Sequence, residues 1–168
     1  MKRLVFAILA ALPLAVPASA QVGTSALRGL DSRAPIDVDA QRIEVLDAQN
    51  QAIFTGDVKV RQAQLNLAAQ RIKVSYIRPA SGDPVIKRLD AEGGVQLVTP
   101  SERASGRYGI YDVDARTLTM VGDVQLNQRG NVVRGNRLAI DLRSGRSTIS
   151  GGPASTGGRV TGRFAVSR

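Results

Sequence analysis

Cysteine, histidine and tryptophan are all missing from the 168 residues, and only three Phe and three Tyr are present. Without cysteine no disulfide can form, so the fold must be held by burial and strand pairing. Without histidine and cysteine, Ser-His-Asp and Cys-His catalysis and the usual zinc ligand sets are excluded. The scarcity of aromatics removes the stacking platform of single-strand nucleic-acid binders, and the 23 Lys and Arg are scattered rather than clustered, so nucleic acid is not an expected partner. It also removes the aromatic girdles of a membrane-spanning barrel. No Gly-Lys-Ser/Thr follows any glycine-rich turn, so there is no phosphate loop. Two carboxylate pairs at i, i+2, Asp37 with Asp39 and Asp112 with Asp114, are the remaining acid–base candidates. Asp is a common turn and solvent-face residue, so these pairs read as structural. The expectation is a non-enzyme without cofactor or metal.

What is there begins with a leader. Lys2 and Arg3 precede an apolar run from Leu4 to Val16, broken only by Pro13, and Ala18-Ser19-Ala20 forms a small-residue cleavage pattern. Residues 1–20 therefore read as a cleavable signal peptide and the protein as exported, to the periplasm. Residues 21–34 carry Gly, Ser, Thr and Ala without period and read as a flexible leader. The formal charge of +9 falls to +7 when Lys2 and Arg3 are removed, there being no acids before residue 21. Such a basic balance suits anionic membranes, phosphorylated glycans or acidic partners, or simple solubility.

The remainder, residues 35–166, alternates with the period of two that marks half-buried strands, and no segment has a helical period. Arg42, Arg71, Arg107 and Arg137 stand 29, 36 and 30 positions apart, each opening a similar apolar element. Gly56-Asp57-Val58 returns as Gly93-Gly94-Val95 and Gly122-Asp123-Val124. A period near thirty containing two strands is a repeated hairpin. Leu65, Leu67 and Ala69 share one parity, while Ile72, Val74 and Tyr76 share the other; a bulge or corner near Gln70 must intervene to keep one face apolar. The same switch recurs around Gly135-Asn136, whereas Leu89 to Leu97 and Leu118 to Leu126 keep a single parity through their glycines. The Pro-rich stretch 78–84 is expected to cross between sub-halves of the sheet, and 159–166 to form a last strand.

The inward aliphatic positions fit either an ordinary filled sandwich core or a slot left open for acyl chains. The recurring Arg42, Arg71, Arg107 and Arg137 are candidate phosphate contacts, since guanidinium matches phosphate geometry. Equally, they are stems lying on apolar surface with solvated heads.

Pro35 to Ile43, Phe54 to Val60, Leu67 to Ile72, Gly122-Asp123-Val124 and Gly135 to Leu138 together resemble the OstA-like family of lipopolysaccharide transport proteins, over about residues 35–150. The resemblance implies a twisted antiparallel β-jellyroll, open at one side, whose interior takes the acyl chains of lipopolysaccharide without chemistry. It implies head-to-tail self-association and docking to the jellyrolls of an inner-membrane complex (LptC-like) and an outer-membrane translocon (LptD-like). By match to the pattern, the groove would be lined by Ile36, Val38, Val58, Val60, Leu65, Leu67, Val95, Leu97, Tyr111, Val124 and Leu126. Ile36 and Val38 at one edge, and Val160, Phe164 and Val166 at the other, would serve partner docking. The alternative is a structural exported β-domain that acts through edge pairing and carries no lipid.

Overall fold

The computed structural model describes Asp31, residues 33–152 and residues 158–165. The expected signal peptide, most of the leader and Val166 lie outside the described residues. Ten strands, β1 (Asp37–Asp39), β2 (Arg42–Leu46), β3 (Gln51–Gln62), β4 (Leu65–Ile77), β5 (Val85–Val98), β6 (Glu102–Asp112), β7 (Thr117–Gln128), β8 (Asn131–Asp141), β9 (Arg146–Ser150) and β10 (Thr161–Arg163), form one antiparallel sheet. A 3-10 turn, Asp47–Gln49, joins β2 to β3. From β3 to β8 each strand pairs with the next in sequence, so the chain is a meander of long hairpins, as the thirty-residue period requires. At the edges the partners are split: β1 and β2 pair opposite ends of β3, and β10 and β9 pair opposite ends of β8.

Every long strand is interrupted near its middle, and the interruptions line up. Gly56-Asp57 on β3 stand against Gln70 alone, Gly93-Gly94 on β5 against Arg107, and Gly122-Asp123 on β7 against Asn136. Two residues opposite one is a β-bulge, which bends the strand and raises its twist. All six doubled residues have positive φ, from 46° to 86°. At Gly93, with φ +86°, a Cβ would stand 2.7 Å from the Cβ of Gln70, so both backbone and space demand glycine. On β4, β6 and β8 the single residue facing each bulge flips side-chain parity, while on β3, β5 and β7 the doubled residues preserve it. That is how Ile72 and Leu67 come to share a face.

The aligned bulges make a crease that folds the sheet over its apolar face. One layer holds β2, residues 51–55, 71–77, 85–92, 108–112, 117–121 and 137–141, and β9; the other holds β1, residues 58–62, 65–69, 95–98, 102–106, 124–128 and 131–135, and β10. The side chains between them make one core, with Val58, Ile72, Leu89, Val95, Met120 and Leu138 at 0 % exposure. Each buries about 1.5–3 kcal/mol of transfer free energy, which replaces the disulfides that the composition forbids. The layers are also tied by a buried hydrogen bond, in which the Tyr111 hydroxyl of β6 donates to Gln62 Oε1 at the end of β3, 2.9 Å away. Among the described residues no strand closes the outer edges of β1–β2 or β9–β10, so the sheet stays open along one side.

Two local expectations fail. Residues 78–84 do not cross between sub-halves; they connect β4 to its immediate neighbour β5, because the meander leaves nothing to cross. The last strand is three residues, Thr161–Arg163, rather than 159–166, since β8 offers it only Val132 to Arg134 as partners.

Candidate functional site

The inner face of the sheet is mostly apolar, but it is covered unequally. Val58, Val60, Leu65, Leu67, Val95, Leu97, Tyr111, Val124 and Leu126 all point inward, which fixes the parity that the sequence left open, and all are buried. They are walls that meet one another rather than walls of an empty slot. Space remains at one end, where Ile36, Val38, Ala52, Phe54, Val74, Tyr76, Pro84 and Ile86 line an open recess of about 390 Å³. The strands set this up directly. Val38 pairs with Val60 and so faces inward from the edge of one layer, while Phe54, Val74 and Ile86 face it from the other.

The apolar surface continues past the recess. Ile43 and Val45 pair with Phe54 and Ala52, so they share the inner face, yet they are 56 % and 54 % exposed because β1 does not extend over them. At the rim Tyr76 turns polar: its ring lies 5.4 Å from the Arg78 guanidinium, which also hydrogen-bonds Asp47. The Asp47 carboxylate, through that hydrogen bond and its charge, holds the Arg78 pKa above the ordinary value.

Polar side chains are buried along the outer ends of the strands, away from the crease. Gln62, Thr99 and Glu102 are buried there; Gln62 Nε2 donates to the Ala34 carbonyl, and Glu102 Oε1 accepts from Gln128 Nε2 at 2.6 Å. Burial pushes the Tyr111 phenol above its usual pKa, against an opposing pull from Arg116.

Of the residues singled out from sequence, Ile36 and Val38 line the mouth and the remaining nine wall residues fill the core behind it. Arg42, Arg71, Arg107 and Arg137 all fall along the crease but on the outer face. Arg71 pairs there with Glu92, and Arg107 Nε stands 3.4 Å from Asp123. Val160 and Phe164 are 43 % and 67 % exposed, on either side of β10. Ile43, Val45, Phe54, Val74, Tyr76 and Ile86 were missed as site residues. Their parity after the switch placed them on the inner face, but only the folded layers reveal which inner positions lack a lid.

Comparison with known proteins gives a consistent picture. Residues 37–146 match the family described as LptA/(LptD N-terminal domain) LPS transport protein. An uncharacterized protein of Rhizobium meliloti (strain 1021) is 31% identical over 154 residues, 88% of this chain and 81% of that protein. The lipopolysaccharide export system protein LptH of Pseudomonas aeruginosa is 27% identical over 168 residues, 89% of this chain and 87% of that protein. The crystal structure of LptH, described as the LptA homologous periplasmic component of a lipopolysaccharide transport device, superposes with a TM-score of 0.70. It covers 82% of this chain and 99% of that one at 18% identity, which speaks for the fold alone.

Proposed function

The chain belongs to the LptA/(LptD N-terminal domain) LPS transport family, and from that premise we propose that it is a non-catalytic periplasmic carrier that holds lipopolysaccharide by its acyl chains and passes it along a chain of like domains. The observation that carries the reading is the apolar mouth. Ile36, Val38, Phe54, Val74 and Ile86 surround open space, next to the exposed Ile43 and Val45, whereas the aliphatics of the core behind them are sealed. A hydrocarbon tail gains about 0.8 kcal/mol per methylene on leaving water, so a tail lying across the recess and over Ile43 and Val45 is held without any specific polar contact. Deeper entry requires the two layers to part at the expense of core contacts. That cost keeps binding reversible, as a carrier needs. The unpaired edges at β1–β2 and β9–β10 fit the hand-over step: backbone groups left open on an edge strand pair readily with another chain, whether a second copy, an LptC-like jellyroll or an LptD-like one.

A second reading rests on the sealed core itself: a structural domain that works only by edge pairing and holds no lipid. Organic extraction of protein purified from an envelope fraction separates the two. Acylated lipid in the extract at near-stoichiometric amounts supports the carrier. A lipid-free extract, together with no uptake of added lipopolysaccharide, supports the scaffold.

A further inference from the structure

We propose that a second site, a cationic recess on the outer face of the crease, binds a phosphate-bearing group, a phosphomonoester or pyrophosphate. The recess has a volume of about 650 Å³ and is lined by Arg107, Arg134 and Arg159 with Asp123, Gln125 and Asn136. It exists because of an irregularity in the last edge. Ser150 pairs with Arg137 and Thr161 with Arg134, so ten sequence positions separate the two edge strands where the other strands have one or two at the crease. Gly151 and Gly158 lie close together, a Cβ on Gly151 falling 1.8 Å from the Gly158 carbonyl oxygen. Gly152, Gly158 and Arg159 wall the recess against β7 and β8.

Three guanidinium groups from three segments converge here against a single carboxylate. Arg134 is oriented by its Nε–H donating to Gln125 Oε1 at 3.0 Å, which leaves its terminal nitrogens for a ligand. Arg107 lies across Gly122, where a Cβ would stand 2.5 Å from its Nε, so the missing side chain at 122 positions this cation. Asp123 offsets one of the three charges. The remaining two positive charges, each a planar fork of donors, match a dianionic phosphate better than a carboxylate or a neutral sugar. The inner-face lipid reading is not needed for this site, because the recess lies on the opposite face of the sheet.

The test titrates the full protein with pyrophosphate by calorimetry at low salt and, separately, measures co-sedimentation with phosphatidylcholine vesicles with and without phosphatidic acid. Arg134→Gln combined with Arg159→Gln is compared with Arg61→Gln combined with Arg103→Gln, which removes the same charge outside the recess. Gly122→Ala displaces Arg107 while keeping every charge. Saturable pyrophosphate binding, weakened tenfold or more in the first double variant, also weakened in Gly122→Ala and unchanged in the control, supports the site with a soluble source. The same pattern only on phosphatidic acid vesicles supports it with a lipid headgroup as source. No saturable binding in either arm, or equal loss in both double variants, overturns it. Cooperative melting shows that the variants fold, Gly122→Ala at a lower temperature because its φ of +84° strains alanine.

Discussion

A single polar substitution should have opposite consequences at two inner-face positions. Ile36 is half-buried just ahead of β1, lining the open recess, whereas Leu67 is 4 % exposed near the start of β4 and sealed in the core. A carboxylate at Ile36 can turn to water, so Ile36→Asp forfeits part of one aliphatic side chain, about 1–2 kcal/mol of stability. It also strips the wall from two or three tail methylenes at about 0.8 kcal/mol each. That loss of about 2 kcal/mol corresponds to roughly thirtyfold weaker loading. At Leu67 an unpaired carboxylate has no water and no cation, which costs several kcal/mol against a total stability of about 5–15 kcal/mol for a domain. Leu67→Asp should therefore unfold or fail to accumulate. The assay is displacement of a fluorescent fatty acid from delipidated protein, with melting followed by circular dichroism. Ile36→Leu, which keeps the volume, should load normally. A cooperatively melting Leu67→Asp, or an Ile36→Asp that loads like the parent, would refute the division into a sealed core and an open mouth.

Three further outcomes follow from the geometry. Gly93→Ala should destabilise more than Gly94→Ala in urea unfolding: both carry positive φ and cost about 1–2 kcal/mol for that alone, but only Gly93 also meets the Gln70 side chain. Equal effects at the two positions would show that the close approach is not tight. The Tyr111 phenol has its folded pKa raised by burial. Its contribution is therefore complete below the unfolded value of about 10 and is lost as pH rises through the folded value. Tyr111→Phe should flatten the alkaline fall of the urea midpoint, and an unchanged slope would contradict this. Asp141 accepts amide hydrogen bonds from Arg143 and Ser144, and the Ser144 bond followed by the Arg143 bond pulls its pKa down. Its support of the β8–β9 turn is present above about pH 3.9 and fades as pH falls toward the lower folded value. Asp141→Asn should speed hydrogen exchange at the Arg143 and Ser144 amides near neutral pH; unchanged rates would count against the turn's dependence on that carboxylate.

Much of this architecture is written in local pattern. The alternation of Leu65-Leu67-Ala69 and Ile72-Val74-Tyr76, with Gln70 between, dictates two strand segments and a corner, because a strand keeps one face only by inserting a residue. Gly56-Asp57, Gly93-Gly94 and Gly122-Asp123 mark the crease, because positive φ is cheapest at glycine and tolerable at aspartate. The absence of histidine and cysteine bounds the chemistry outright. What local pattern cannot state is how far one layer reaches over the other. Val58 and Ile43 are both inward aliphatics, yet one is sealed and the other is 56 % exposed, since burial depends on which distant strand lies opposite. The outer recess is of the same kind: Arg107, Arg134 and Arg159 lie on three separate stretches of sequence and meet because aligned bulges fold the sheet and ten positions separate the two strands of the last edge. Side-chain alternation is a property of neighbours along the chain, whereas cover and convergence are properties of the closed sheet.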